Sequence, residues 1–395
     1  MVIWNFRTQT NIFVNNIKQI IIFCIFNRRH FIIYKSFYYF NFILVIFIKN
    51  IFKNQTIYIL MEKINKVDIC CGLAWGDEAK GKIVSQLSKS GIYDFVCRWA
   101  GGNNAGHTIY VKGKKYKTHL IPSGIFFGIK SVIGPDCVVN INAFYQEIHY
   151  LEANGFDTTL IKISPKCHII THTHIKEDLE KNKSLGTTAK GIGPCYRDKY
   201  HRCGKRVEDF KEQFNGYIWD EKLYGNILCE GAQGIWLDIN YGNYPYVTSS
   251  NPFPYGACSL GFAPQKINHI YGAVKIYDTR SGVDPDFPES LQEDTELKKI
   301  GELGEEYGVT TGRKRTINWL NVDKLITAIN ISGCTAVIIS KIDILEKLGV
   351  YKYYYKNELH EYNTLLTMMS KLEKILENEC ELLLDIKFSD NPETI

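Results

Sequence analysis

The stretch that most constrains this chain is Gly76-Asp77-Glu78-Ala79-Lys80-Gly81-Lys82, which follows closely on the apolar run Val67–Leu73. An apolar run of strand length, a glycine-bearing turn and the helical pattern of Ile83–Ser90 describe a strand feeding a helix. At such a junction the helix aims its free N–H groups and positive dipole end at an anion. The spacing is G-x4-G-K, the frame of a phosphate-cradling loop. Yet Ile83 stands where such loops place a magnesium-binding Ser or Thr, and Asp77 and Glu78 stand where phosphate would lie. An acid belongs there if it shares a cation with the phosphates, since magnesium prefers carboxylate and phosphate oxygens together. The plain alternative is a charged strand-to-helix turn.

Further apolar runs of strand length recur at Phe95–Trp99, Ser131–Ile133, Asn226–Cys229, Tyr271–Ile276 and Ala336–Ser340, with a helical pattern such as Asp323–Ser332 after several of them. This alternation predicts an α/β fold with a mainly parallel central sheet flanked by helices. Functional residues should then gather in loops at the carboxyl ends of the strands.

Residues 1–60 stand apart, because they contain no Asp, Glu, Gly, Ala or Pro. Nearly all of them are types written by A/T-rich codons, so we read the segment as upstream sequence translated from too early a start, with the folded domain spanning residues 61–395. A membrane anchor or targeting leader is the competing reading, as Phe31–Ile48 is apolar enough to resemble a span. The segment holds seven Lys and Arg, leaving 40 basic against 42 acidic residues in the remainder. That near-neutral body gives no indication of a nucleic-acid surface, and no membrane partner is expected. The twelve Cys form no CxxC pair and no zinc spacing, which suits reduced thiols in a cytoplasmic setting. Cys70 and Cys71 are read as small strand hydrophobes.

Five more stretches carry candidate chemistry. Arg98–Tyr110 sets Asn103, Asn104 and His107 among three glycines, able to offer a backbone carbonyl to a metal and an imidazole to a substrate oxygen. Gly186–Val207 holds Thr187, Thr188 and a basic tail in which Arg202 or Arg206 could clamp a monophosphate, unless it is simply a solvated basic loop. Glu230–Pro252 contains Gln233, which can read a base edge, and Thr248; Tyr244-Pro245-Tyr246 reads as packing. Gly308–Leu320 gathers Thr310, Thr311, Arg313, Lys314 and Arg315, suited to a small dicarboxylate or phosphate. Ser340-Lys341-Ile342-Asp343 places a carboxylate where it can accept from guanine, or where it is an ordinary strand-end charge pair.

Taken in order, WGDEAKGK, NNAGHT, HLIPSGI, GTTAKGIGP, EGAQG, YPYVTSSN, TTGRKR and SKID resemble the motifs of the adenylosuccinate synthetases, from about Val67 to Asp343. The resemblance implies a P-loop-NTPase-like fold and the joining of IMP and L-aspartate at the expense of GTP, through a 6-phosphoryl intermediate. It implies that Asp77 is the base at N1 of IMP and His107 its acid partner at O6, with one Mg²⁺ per subunit on Asp77 and the Gly106 carbonyl. GTP would lie on Gly76, Asp77, Glu78, Ala79, Lys80, Gly81 and Lys82, on Gly106, His107 and Thr108, on Arg315, and on Lys341, Ile342, Asp343 and Ser389. IMP would touch Asp77, Glu78, Ala79, Lys80, Asn104, Ala105, Gly106, His107, Thr188, Gln233, Thr248 and Arg313, with Arg202 reaching it from the neighbouring subunit of a homodimer. Aspartate would be gripped by Val309, Thr310, Thr311, Gly312, Arg313, Lys314 and Arg315.

The chain also departs from the family's pattern. Ala79 replaces a usual Gly, which matters if that residue needs a positive φ. Cys203 stands where Arg is common, Val207–Gly225 is short, and FSDNPETI is at most a remnant of the usual S-x-G-P stretch. The compactness resembles short archaeal members and viral relatives, one of which aminates dGMP; that branch lacks the first-loop carboxylate, so Asp77 favours IMP. A GTPase switch is the rival from another class.

Overall fold

The computed structural model describes residues 63–181, 185–308 and 312–391, so the expectation for residues 1–60 lies outside the described residues. Eight strands form the central sheet: β1 (Ile64–Gly72), β2 (Phe95–Arg98), β3 (Lys130–Ile133), β4 (Ile161–Ile163), β5 (Gly225–Glu230), β6 (Ile267–Lys275), β7 (Ala336–Ser340) and β8 (Asp385–Ser389). Their order is β8-β7-β6-β1-β5-β2-β3-β4, and every pairing is parallel. A parallel sheet must be covered on both faces, and β1 shows how its sequence meets that demand. Val67, Ile69 and Cys71 join the larger core, while Cys70 between them packs with Ile83 and Val84 of α1 (Lys80–Ser88). Side chains alternate between faces along a strand, so the unbroken apolar run fills two layers at once. The two cysteines are packing residues, as expected.

β1 is central and the chain order reverses around it, which opens a crevice beyond its carboxyl end. Two smaller units flank that crevice. The hairpin His107–Val111 with Lys114–Thr118 places His107 at its first position, opposite Thr118. A four-stranded sheet ordered Tyr277–Arg280, Thr316–Asn321, Tyr351–Tyr355, Glu358–Tyr362 begins its second strand one residue after Arg315.

The stretch Gly186–Val207, read above as a monophosphate clamp or else a solvated basic loop, contains the helix α2 (Ile192–His201). Pro194 lies in its first turn, where no N–H is needed, and Lys199 and His201 lie in its last turn, where positive charge suits the dipole. The basic residues have local carboxylate partners: Arg197 with Glu177 and Asp198, Lys199 with Asp136 at 2.5 Å, and Arg206 with Glu208 at 3.1 Å. No described helix is long and apolar enough to cross a membrane.

Candidate active site

The loops at the carboxyl end of the sheet enclose a cavity of about 1310 Å³. Its first wall is the turn between β1 and α1. Gly76, Asp77 and Ala79 all have positive φ, at 93°, 61° and 70°, the kind of left-handed backbone from which anion-binding nests are built. Ala79 is therefore in the left-handed region that its departure from Gly makes costly. Glu78 is buried and turned inward: its carboxylate accepts from the backbone N–H groups of Gly76 at 2.7 Å and Ala74 at 3.2 Å, and pairs with Lys80. Thus Glu78 braces the loop, whereas Asp77 beside it stays partly open, with 27% of its side chain exposed.

Asp77 nonetheless has a partner. Arg315 donates to its Oδ2 from Nε at 3.1 Å and from Nη2 at 2.7 Å. The remaining end of that guanidinium, Nη1, donates to the buried carboxylate of Glu306, which also accepts from Lys275 at 2.8 Å and from the Tyr277 hydroxyl at 2.8 Å. Burial alone would lift the Glu306 pKa, yet the cations Lys275 and Arg315 hold it down at about 2. Burial drives Lys275 below the ordinary lysine value, against the pull of Glu306.

The opposite wall holds His107, 5% exposed. Gly81 of α1 lies so close that a Cβ there would sit 2.8 Å from the His107 Cβ, which explains the glycine inside a helix. The His107 Nδ1 is hydrogen-bonded to Glu230, the last residue of β5. Glu230 is completely buried and also accepts from the Ser123 N–H at 2.7 Å and its hydroxyl at 2.6 Å. Burial would raise the Glu230 pKa, but the adjacent imidazole, Arg98 and Ser123 bring it to about 2. Burial lowers the His107 pKa, opposed by Glu230. A carboxylate accepting the Nδ1–H fixes the ring and leaves Nε2 as the nitrogen for a ligand.

At the third wall, Lys82 donates to the Ser389 hydroxyl at the end of β8 at 2.5 Å, and burial pulls its pKa down to about 8, although Asp390 and Asp343 oppose this. Lys341 has a φ of 68° and donates from Nζ to the Gly304 carbonyl at 2.9 Å, while Asp343 pairs with Lys347 at 2.8 Å.

The cavity brings together Gly76 to Lys82, Asn104 to Thr108, Thr188, Gln233, Thr248, Gly312, Arg315, Lys341, Asp343 and Ser389. Asn104 accepts from the Gly102 N–H at 3.1 Å through its side-chain oxygen, and Thr248 shares a hydrogen bond with Ser250 at 3.0 Å. Ile342, Arg313, Lys314 and Arg202 are not on its wall. Arg313 donates to the Gly186 carbonyl at 3.0 Å, and Arg202 is exposed at the end of α2. Val309, Thr310 and Thr311 lie outside the described residues. Tyr244, read as packing, is instead 76% exposed on the cavity rim. The sequence reading did not identify Glu230, Lys275, Glu306 or Arg197 as site residues. Glu230 and Lys275 carried a signal, each being a charge in or closing an apolar strand run that must be paired when buried; the other two carried none.

A nest by itself would only hold an anion. Set between a partly open carboxylate and a locked imidazole, it has the make-up of an enzyme acting on phosphate-bearing substrates. Known proteins say which. The family model described as adenylosuccinate synthetase matches residues 69–224 and 213–381. The chain is 38% identical to the adenylosuccinate synthetase of Shouchella clausii, over 78% of this chain and 86% of that one, and 41% identical to that of Clostridium botulinum, over 72% and 81%. The fully ligated adenylosuccinate synthetase of Plasmodium falciparum superposes with a TM-score of 0.72 at 26% identity, covering 83% of this chain and 98% of that one. A cyanophage S-2L succinoaminodeoxyadenylate synthetase, solved with dGMP and with dATP as energy donor, shares the fold with a TM-score of 0.60 at 18% identity, covering 80% and 100%. This chain belongs to the adenylosuccinate synthetase family. It is a ligase of purine biosynthesis that joins IMP and L-aspartate using GTP, and the GTPase-switch reading is set aside.

Proposed function

We propose that the reaction runs through Asp77 and His107 in the following way. The carboxylate of Asp77 removes the N1 proton of IMP, which places negative charge on O6 and makes that oxygen a nucleophile toward the γ-phosphoryl of GTP. GDP leaves in that transfer, and the aspartate amine then attacks C6 and expels the phosphorylated oxygen as inorganic phosphate. His107, its Nδ1–H committed to Glu230, meets O6 through a protonated Nε2 as the acid partner, and the buried Glu230 carboxylate supports the positive ring that donates there. The nest of residues 76–82 with Lys80 and Lys82 holds the GTP phosphates, Lys341, Asp343 and Ser389 the guanine end, and Asn104, Thr188, Gln233 and Thr248 the IMP side. Arg315 serves the anionic co-substrates. The observation that carries this reading is the half-open carboxylate of Asp77, set in the phosphate nest and facing the same cavity as His107.

Magnesium fits the residues present. Among the described residues no three His, Cys, Asp or Glu side chains cluster to hold a metal, while the Asp77 carboxylate and the Gly106 carbonyl are hard oxygen donors on the cavity wall. A site with few protein ligands matches the habit of Mg²⁺, which takes the rest from phosphates and water. When bound it would neutralise charge on the transferred phosphoryl group.

We further propose a cytoplasmic homodimer. Arg202 is exposed and away from its own cavity, so a second copy is what would bring it to IMP. Arg202→Leu should then raise the KM for IMP, and an unchanged KM would argue for self-contained monomers. The substrate is tested by a spectrophotometric assay with GTP and L-aspartate, comparing IMP with dGMP. Preference for IMP is expected; preference for dGMP would overturn the reading.

A further inference from the structure

Arg315 is held from two sides by carboxylates of unlike freedom. Glu306 is 1% exposed and fixed by Lys275, Tyr277 and Arg315 itself, and the Arg315 N–H also donates to the Glu306 carbonyl at 2.9 Å. Asp77 is on a loop, partly exposed, and receives both N–H groups of the Nε–Nη2 edge on one oxygen. That edge is a planar two-donor fork, the geometry that suits a carboxylate or a phosphate. The fork is spent on Asp77, the very group that the proposed chemistry requires at N1 and at the cation. Two cations and two carboxylates close the cluster electrically, so a divalent cation arriving at Asp77 would place like charge beside Arg315.

Building on that reading of Asp77, we propose that Glu306 is a positioning residue: it anchors one end of Arg315 while the other edge exchanges the Asp77 carboxylate for an anionic group of a substrate. Arg315 thereby shields Asp77 until anion and cation arrive together, and then leaves it. Glu306 and Lys275 keep the guanidinium on the cavity wall throughout, so the exchange is a pivot and not a release to solvent. Binding at the anion position and at Asp77 is then coupled, each favouring the other.

The test is isothermal titration of the full-length, ligand-free protein with L-aspartate and, separately, inorganic pyrophosphate, which distinguish a carboxylate from a phosphate as the fork's second partner. Asp77→Ala frees the fork, so at least one probe should bind about tenfold more tightly than to the parent. Arg315→Ala in the Asp77→Ala background should cancel that gain, which separates an effect of Arg315 from the general loss of a negative charge. Glu306→Gln in the same background should also cancel it, and Glu306→Asp, which keeps the charge, should retain part of it even if the Gln variant folds poorly. Unchanged affinity in Asp77→Ala, or a gain that survives removal of Arg315, would overturn the exchange. Turnover is read separately: retained activity in Asp77→Ala would sink the base assignment, whereas lost activity with unchanged anion affinity would sink only the exchange.

Discussion

The two walls of the cavity hold their reactive groups in opposite ways. His107 is nearly buried and locked through Nδ1 to a carboxylate that is itself pinned by Ser123 and backed by Arg98. Asp77 is a quarter exposed, sits in a loop with three positive φ values, and is clasped by an arginine from a strand edge more than 200 residues away in sequence. On the proposed roles, a group that meets one substrate oxygen profits from being fixed in advance, and a group that serves a proton and a cation profits from a partner it can give up. The site would then combine a rigid half with an exchangeable one.

Variants on each wall can break that comparison. The largest effects are expected from Asp77→Ala and His107→Ala, each lowering kcat by about a thousandfold or more in the coupled assay while the circular dichroism spectrum stays native. Near-normal turnover in either would remove that residue from the chemistry. Glu230→Gln should act through the rigid half alone, lowering kcat by about thirtyfold or more with the KM for GTP little changed, since the carboxylate that orients an imidazole is worth about one to two orders of magnitude at metal sites and more in a catalytic triad. A fall in thermal stability with kcat intact would reduce Glu230 to a structural role. A smaller effect should come with pH. Lys82 is cationic below its depressed value of about 8 and loses its charge above it, so kcat/KM for GTP should decline as the pH rises through 8. The decline should vanish in Lys82→Arg, which stays charged. Smallest is Ala79→Gly: relieving a left-handed φ of 70° should stabilise the fold by about 1 kcal/mol in urea unfolding, with turnover close to the parent's.

Six of the eight strands were legible because a doubly buried strand writes itself as a continuous apolar run, as at β1 and β7; the edge strands β4 and β8 were not, β4 being only three residues long and β8 buried only at its last residue. The first loop was legible because close approach to phosphate demands glycines at fixed spacing, and Ser389, chosen from a poorly matching tail, does lie on the cavity wall beside Lys82. The helix Ile192–His201 was not, because its basic residues look like a clamp until Glu177, Asp198 and Asp136 are seen beside them. Nor was the link between Lys275 at the end of β6 and Glu306, which joins it to Tyr277 and Arg315; a charged residue carries no mark of its distant partner. Local chemistry is written locally, and networks between strand ends are written only by the fold.

The most direct measurement is a crystal structure of the protein with IMP, a non-hydrolysable GTP analogue and Mg²⁺. The account predicts an Asp77 oxygen within hydrogen-bonding distance, about 3 Å, of the purine N1, with the Arg315 fork turned to a substrate anion and its far end still on Glu306. Asp77 still clasped by Arg315, away from both purine and metal with all ligands in place, would contradict it.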